Sequence, residues 1–484
     1  MKLLDSHFSR TILCALAFYF PAHQSSQVQA QEIWSLRKCI EYAREHNLTL
    51  KQAQNSVRLA ELSEKQNRLS RLPNVSASGA GGSQFGRTID PTTNSFDNQT
   101  ITFNSYRLDV GMPLYAGGQI NNGIKQSKVD LLAAREDVAA AFNDIALNIA
   151  NVYLQILMSR EQLENAVKRR NLSREQLAQT DKLIENGRLP ANDRLDVLAR
   201  IAADEQSIIQ TRNQIEISYL NLKELLQLDP TVEISLEDPP PGIALDTDPD
   251  LLSFQEVYAV ALGQQPQIRA NDLRMMSAEI GVNIAKGALL PTFSIFGGID
   301  TRWSSAARSI GEIRSTLINQ TIIWNGVQQQ IQIPSQEFIF KEDPYFDQLR
   351  DNFGQSIGLS LRVPIYNNGL NSINIERARV GVLNAKVRSD LTRQQLKNDV
   401  QQALANARAG RRNWDAASTA SEAARIAFEN AEKRFQLGSI NNLQLLTARN
   451  TYDVANTNLI VAKYDYIFRL KIVDFYLGRE IKLD

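Results

Sequence analysis

The stretch that decides the fold occurs twice, as LPNVSASG at residues 72–79 and as LPTFSIFG at residues 290–297. These two stretches are offset by 218 residues, and a second matching pair, PLYAGG at 113–118 and PIYNNG at 364–369, is offset by 251. The chain is therefore an internal duplication whose second repeat carries 33 additional residues between the two landmarks. Repeats of this kind bury their apolar faces against one another, so we expect long repeated elements and not a compact domain with one pocket.

The first thirty residues have the features of an export signal. Lys2 and Arg10 supply positive charge, a short apolar run follows, and Val28-Gln29-Ala30 matches a small-residue cleavage site. The run is shorter than the roughly 20 apolar residues that a membrane-spanning helix needs. We predict a signal peptide over residues 1–30 and a mature chain that begins at Gln31.

Composition argues against several classes of function. The 484 residues carry 53 basic and 53 acidic side chains, and removal of the signal leaves 51 and 52, so no nucleic-acid partner is predicted. His46 is the only histidine outside the signal, which argues against a histidine zinc site or a Ser-His-Asp triad. The segment GAGGS at 79–83 lacks the spacing of a phosphate-binding loop. We predict no enzymatic activity, no cofactor and no metal.

Cys39 is the only cysteine of the predicted mature chain, so no intramolecular disulfide is possible. It lies at an apolar position of an early helix. A buried, inert thiol is therefore expected there, and not a reactive one.

Each repeat is predicted to contain two strands, at 74–83 and 101–114 in the first and at 292–300 and 355–365 in the second. In the strand 101–114, the side chains at positions 106, 108, 110, 112 and 114 are apolar and alternate with Arg107 and Asp109. In the counterpart strand 355–365, Arg362 occupies the polar side. The pattern fits either a soluble sandwich with one solvated face or membrane strands with lipid outside and a polar lumen inside. The export signal favours the membrane. The three charges are then lumen residues that tune conduction, or merely the solvated face.

Long helices flank these strands. A helix is predicted over residues 35–70, and no proline interrupts the 69 residues from Gly118 to Asn186, which would span roughly 100 Å as a helix. Apolar residues from Val138 to Ile156 recur at alternating intervals of four and three, which predicts supercoiling on neighbouring helices. An ordinary coiled-coil rod would explain this segment equally well.

Both long helices are predicted to reverse at glycine-containing tips, and the return helices are expected at 191–227 and 442–478. We predict the following organisation: signal peptide 1–30, first repeat 31–227 with its tip at 186–190, linker or equatorial segment 228–252, and second repeat 253–484 with its tip at 437–441.

Four strands in one chain cannot close a barrel, and the smallest usual membrane barrel has about eight. An open sheet edge in lipid leaves backbone groups without hydrogen bonds. If the strands span a membrane, several chains must share one barrel, and three chains would supply twelve strands.

Together these features resemble the TolC-like outer-membrane efflux proteins, from about Trp34 to Leu477. The resemblance rests on the tandem repeats, the Leu-Pro before each first strand, the Pro-Leu-Tyr and Pro-Ile-Tyr that end the second strands, and the paired glycine tips. It implies a mainly α fold with membrane β-strands: a homotrimer with a shared twelve-stranded barrel in the outer membrane and an α-helical periplasmic tunnel. It also implies docking to a periplasmic adaptor and an inner-membrane pump of the RND or ABC type, for which the channel is a passive exit duct.

A soluble periplasmic coiled-coil scaffold or adaptor is the alternative function. It would share the export signal and the heptads. It would not need strands with an apolar face in both repeats.

The resemblance also implies a gate at the periplasmic end, where members often carry aspartates six and nine residues after the tip glycine. Asp193 and Asp196 follow Gly187 at this spacing, whereas the second repeat departs from the pattern with Gln444 and Thr447. The alternative is that the two aspartates form a solvated first helical turn, where acidic side chains suit the helix N-terminus.

The tips are the adaptor-docking surface that the resemblance implies. Turn chemistry explains their glycines but not a Leu189 and an Ile440 that we expect to be exposed. The predicted docking residues are Gly187, Arg188, Leu189, Gly438, Ser439 and Ile440. The role of the connection from Asp300 to Asn352, which is unusually long, is left open.

Overall fold

The computed structural model describes residues 33–89, 94–98, 100–238 and 248–483. The predicted signal peptide lies outside these ranges. The first repeat and the equatorial segment comprise β1 (Ile33–Trp34), α1 (Leu36–His46), α2 (Leu48–Leu69), β2 (Asn74–Gln84), β3 (Thr88–Ile89), β4 (Phe96–Asp97), β5 (Ile101–Ala116), α3 (Gln119–Glu185), α4 (Asp193–Leu226) and β6 (Ser235–Leu236). The second repeat comprises α5 (Phe254–Gln264), α6 (Pro266–Gly287), β7 (Thr292–Ser304), β8 (Arg308–Trp324), β9 (Val327–Glu342), α7 (Tyr345–Asp351), β10 (Gly354–Arg362), α8 (Leu370–Gln436) and α9 (Asn442–Tyr476).

The single helix predicted over 35–70 is wrong, because Asn47 divides it into α1 and α2. The Asn47 side chain accepts a hydrogen bond from the Leu50 amide at 3.1 Å and donates one to the Leu225 carbonyl at 2.8 Å. It therefore caps α2 and ties the break to α4. The second repeat breaks at Gln265, 218 residues later, where Pro266 starts α6. The break is thus a property of both repeats.

The helices α3 and α8 are the longest elements, at 67 residues each, which corresponds to about 100 Å. Each begins after a glycine with a left-handed backbone, Gly118 with φ 77° and Gly369 with φ 74°, so the strand-to-helix turn is the same in both repeats. In the described ranges, none of the helices combines the length and the hydropathy needed to cross a bilayer.

The apolar core lies near the middle of the long helices, in two parts. In the first part, Ile149 and Ile156 of α3 pack with Leu222 and Leu226 of α4 and with residues of α1 and α9. The second part joins α5, α6, α8 and α9 around Val257, Val400 and Val473. The predicted coiled-coil seam is therefore buried in both repeats.

A belt of extended chain crosses this core. The strand β1 pairs in parallel with β6, so the segment between the repeats is held against the N-terminal end of the described chain. The buried Tyr153 hydroxyl of α3 lies 3.1 Å from the Trp34 carbonyl oxygen and 3.2 Å from that of Glu237, one on each side of this pair. The described part of the linker is thus attached to the long helix α3.

Four strands from the two repeats form one antiparallel sheet in the order β10-β7-β5-β2. The repeats meet at the β5–β7 pair, where Arg107 is opposite Asp300. The strand β7 runs four residues beyond the predicted end at residue 300. The outer strands β2 and β10 have no further strand partner among the described residues.

The long connection of the second repeat is not an irregular loop. It forms an antiparallel hairpin, β8–β9, whose two-residue turn at Asn325 and Gly326 has φ angles of 48° and 80°. Positive φ at both turn positions is what a two-residue hairpin turn requires. The short helix α7 then leads the chain back to β10. The 33 extra residues of the second repeat therefore build an ordered extension.

The structure confirms that Cys39 is buried, with no exposed surface, and burial raises the pKa of its thiol to about 12. At pH 8 only about one thiol in ten thousand would be ionised.

We expect Cys39 of the chain from Gln31 to resist Ellman's reagent at pH 8 in the folded protein and to react after denaturation. The variant Glu45→Cys, at an exposed position of the same helix, is the control and should react when folded. Equal rates for the two thiols in the folded state would contradict this expectation.

Candidate functional site: a two-faced sheet and two helical hairpins

The four-stranded sheet separates polar from apolar side chains, because successive residues of a strand point to opposite faces. Arg107 and Asp109 lie on the polar face, opposite Ser78 and Ser76 of β2. The polar residues of this face are Asn74, Ser76, Ser78, Ser105, Arg107, Asp109, Asp300, Arg302, Ser356, Ser360 and Arg362, and Phe103 and Phe296 also lie on it. The structure thus places all three charges of the predicted lumen on one face.

The opposite face is apolar and uncovered in the single chain. Ile357 is 83% exposed, and Leu359 and Leu361 are more than 60% exposed, although their type is normally buried. The apolar residues of this face are Val75, Ala77, Tyr106, Leu108, Val110, Met112, Ile295, Ile299, Ile357, Leu359 and Leu361, and Asn104 and Gln355 also lie on it. This face needs an apolar environment that one chain does not supply.

Two charges of the polar face were missed from the sequence. Asp300 and Arg302 alternate with Ile299, Thr301 and Trp303 along β7, so they continue the polar side of the sheet. The alternation itself was the available signal, because it extends past the residue at which the strand was predicted to end. The polar face consequently carries carboxylates and guanidinium groups from both repeats.

The two hairpin tips have the same backbone hydrogen bonds. The Gly187 amide donates to the Ile184 carbonyl at 2.9 Å, and the Arg188 amide donates to Leu183 at 2.8 Å. In the second repeat Gly438 and Ser439 donate to Phe435 and Arg434 at the same two distances. With φ angles of 68° and 71°, the glycines end their helices in the left-handed conformation that this motif requires.

The expectation that Leu189 and Ile440 are exposed is wrong, because both side chains are half-buried. The apolar side chains that the tips present to solvent are instead Leu195, Leu437 and Leu443, which are 62%, 80% and 72% exposed. The sequence did not reveal which apolar side chains at the tips are exposed.

Asp193 and Asp196 form the first turn of α4, and Asp196 is exposed while Asp193 is half-buried. Gln444, which matches Asp193 in the second repeat, forms a capping box with Asn441 at the start of α9. The Asn441 side chain accepts a hydrogen bond from the Gln444 amide at 2.9 Å. Asn192, at the start of α4, makes no such side-chain cap. The second repeat therefore uses this position to start its helix, and the first repeat leaves two carboxylates there.

This arrangement of strands and hairpins agrees with a family match across most of the chain. The model of the "Outer membrane efflux protein" family matches residues 39–227 and 257–479. The chain belongs to the outer membrane efflux protein family. The resemblance seen in the sequence is thereby confirmed, the cell outer membrane is its location, and the alternative of a soluble periplasmic scaffold is excluded.

Individual relatives in this family are distant. The chain is 25% identical over 244 residues to outer membrane protein TolC of Salmonella enteritidis, over 47% of this chain and 50% of that protein. It is 24% identical over 251 residues to TolC of Escherichia coli K12, over 49% of each. The chain spans about half the length of these curated relatives.

Solved structures of outer-membrane channels share the fold over nearly the whole chain. CusC has a TM-score of 0.74 at 17% identity, covering 93% of each chain. CmeC of Campylobacter jejuni has a TM-score of 0.73 at 16% identity, covering 98% of this chain and 95% of that one. VceC of Vibrio cholerae has a TM-score of 0.72 at 18% identity, covering 92% and 97%. The mainly helical fold with strands in two repeats is confirmed.

A buried charge cluster near the tips of this outer membrane efflux protein was not predicted from its sequence. Arg449 of α9 is 1% exposed and donates to Gln176 Oε1 at 2.9 Å and to Ser173 Oγ at 2.7 Å, both on α3. Its guanidinium also lies 3.8 Å from Asp453 and 3.9 Å from Asp204 of α4. The cluster therefore joins the second-repeat hairpin to both helices of the first.

Arg200 of α4 completes the cluster. It forms ion pairs with Asp453 of α9 and, at 3.7 Å, with Asp204. The duplication contained a signal for this site, because Arg449 and Asp453 stand 251 residues after Leu198 and Ala202. At these two positions the first repeat has an apolar residue and the second repeat has a charged one. Where such a position faces other helices, the charged side chain is expected to have a partner that only one repeat provides.

We expect Arg449→Leu to destabilise the helical hairpins by about 3 kcal/mol or more, because removal of one partner leaves buried carboxylates undercompensated. Arg425→Ala removes exposed pairs with Glu422 and Glu429 and should destabilise the hairpins far less, because solvent screens exposed ion pairs. Urea unfolding of the detergent-solubilised protein, followed by circular dichroism at the helix band, compares the two. Similar midpoints for both variants would contradict the role assigned to Arg449.

Proposed function

We propose that this protein is one subunit of a trimeric outer-membrane exit channel, which conducts substrates passively from an inner-membrane pump to the exterior. The observation that carries the proposal is the two-faced sheet with its two unpaired outer strands. The apolar face suits lipid, the polar face suits a water-filled lumen, and neither can be satisfied by one chain.

Closure of the barrel supports three chains. The outer strands β2 and β10 have 11 and 9 residues, and open edges in lipid would cost several kcal/mol for each unsatisfied backbone group. The strands alternate in direction across the sheet, so β10 of one chain can pair antiparallel with β2 of the next. Three chains then form a closed, antiparallel barrel of twelve strands.

The long helices support a periplasmic tunnel below that barrel. A helix of 67 residues spans about 100 Å, roughly three times the hydrocarbon thickness of a bilayer. The strands lie at one end of α3 and α8, and the tips lie at the other. A barrel in the outer membrane thus directs the tips away from that membrane, toward the partners in the periplasm.

The proposed partners at the tips are a periplasmic adaptor and, through it, a pump of the RND or ABC type. The proposed docking surface combines the tip residues Gly187, Arg188, Leu189, Gly438, Ser439 and Ile440 with the exposed leucines 195, 437 and 443. Exposed leucines at the end of a helical hairpin supply apolar contact for another coiled coil.

We further propose that Asp193 and Asp196 form the periplasmic gate, since three chains would bring six carboxylates around one constriction. Neither carboxylate has an ion-pair partner in the described part of the chain, so their negative charge is free to act on ions. Arg107, Asp109 and Arg362 are the proposed lumen charges at the other end, together with Asp300 and Arg302.

The first experiment measures the mass of the detergent-extracted protein by light scattering, with the detergent subtracted. We expect three chains, because the open edges of the sheet require closure. A monomer or dimer that extracts with salt alone would contradict the channel.

The second experiment tests the gate in planar bilayers. We expect Asp193→Asn with Asp196→Asn to reduce cation selectivity, because a ring of carboxylates attracts cations. The matched control is Glu41→Gln with Glu45→Gln, which removes the same charge from exposed positions of α1. Unchanged selectivity in the aspartate variant would leave these residues as a solvated first turn.

A further inference from the structure

The β8–β9 hairpin is the largest feature that the channel function leaves unexplained. Its strands of 17 and 16 residues extend about 55 Å, and they are inserted at the end of β7 opposite the helices. In the proposed channel this end is the external mouth. A two-stranded hairpin is marginally stable by itself in water, so an extension of this length indicates a partner.

The base of the hairpin is held firmly on the sheet. The buried Gln348 side chain of α7 accepts from the Ser304 amide at 2.9 Å and donates to the Asp343 carbonyl at 2.8 Å. Thr301 Oγ1 of β7 donates to the Leu349 carbonyl at 2.6 Å. These bonds fix the direction in which the hairpin leaves the mouth.

The distal half of the hairpin, residues 315–336, contains no charged side chain in 22 residues. Leu317 and Ile323 are 62% and 72% exposed there, and the outer edges of both strands lack strand partners in the described ranges. Proteins normally protect long free edges with charges and prolines, and only Pro334 does so here. An uncharged, β-branched edge of this kind favours pairing with another strand.

The composition of the distal half argues against lipid as the partner. It contains Asn319, Gln320, Asn325, Gln328, Gln329, Gln330, Gln332 and Gln336. Burial of these amides and of open strand edges in hydrocarbon would be costly. The absence of lysine and arginine in the same segment equally disfavours an anionic lipid surface.

The position of the hairpin favours a second copy of the same chain. It is inserted directly before β10, the edge strand that meets the next chain in the proposed trimer. Three identical hairpins fixed at one mouth also face one another at high effective concentration. β8 of one chain can pair antiparallel with β9 of the next, which satisfies both edges.

We propose that the three β8–β9 hairpins pair with one another through residues 315–336 and form an intersubunit β-collar over the external mouth. This inference rests on the trimer of the proposed function. In such a collar the same residue of successive chains is two strands apart, a separation of about 10 Å.

The test is chemical cross-linking of Gln329→Cys with a bismaleimide of about that span. Native Cys39 is buried and does not compete. We expect covalent dimers and trimers on a denaturing gel. Glu45→Cys, on the equatorial helix α1, should not link. Gln332→Cys repeats the test at a second position, and the proposal is overturned if neither hairpin cysteine links.

A charged variant separates the collar from the trimer itself. Gln320→Lys with Gln328→Lys, whose side chains lie on opposite faces of one hairpin, added to Gln329→Cys, should abolish linking by repulsion between chains while light scattering still gives a trimer. Linking that persists unchanged in this variant would contradict pairing through the distal half.

Two other outcomes would show which of the two proposals, the trimer or the collar, is wrong. Absence of a trimer by light scattering in the unmodified protein would refute the proposed function before the hairpin is considered. A trimer whose hairpin cysteines link only after addition of lipopolysaccharide-containing vesicles would overturn the collar in favour of a lipid surface.

Discussion

The two unpaired edges of the sheet are the constraint on which the rest of this structure depends. The backbone of β2 and β10 presents hydrogen-bonding groups that a bilayer cannot satisfy, and the strands between them present an uncovered apolar face. The proposed barrel, shared between chains, would satisfy both the edges and the apolar face. The long helices are tied to the same sheet, because β5 and β10 each lead through a glycine turn into a helix, α3 and α8.

The duplication supplies a common frame that the two repeats use differently. Gly117 has φ 59°, and a Cβ there would lie 2.1 Å from the Gly287 carbonyl oxygen, so only glycine fits. The matching residue of the second repeat is Asn368, also with positive φ. Within the chain, α6 packs on the first junction. The second junction faces outward, where the next chain would lie. The same backbone conformation is thus used at a contact within the chain, at Gly117, and at an outward-facing surface, at Asn368.

The two repeats also differ next to their hairpin tips. The capping box at Asn441 stabilises the start of α9, whereas α4 starts with two uncapped aspartates. Arg449 then ties α9 to the first-repeat hairpin through buried hydrogen bonds to Gln176 and Ser173. The second repeat therefore caps the start of its return helix, and the first repeat places two carboxylates at the start of its own, although the backbone of the tips is the same in both.

The sequence by itself determined the duplication, the four strands of the sheet, the long helices and the glycine tips, but not the β8–β9 hairpin. The predicted elements follow from local patterns: alternation in strands, a 3.5-residue repeat in helices, and glycine where φ is positive. The sequence also indicated the polar face through Arg107, Asp109 and Arg362. Only the tertiary structure revealed the break at Asn47, the partial burial of Leu189 and Ile440, and the cluster around Arg449. These depend on which side chains from distant segments meet, and local periodicity carries no information about that.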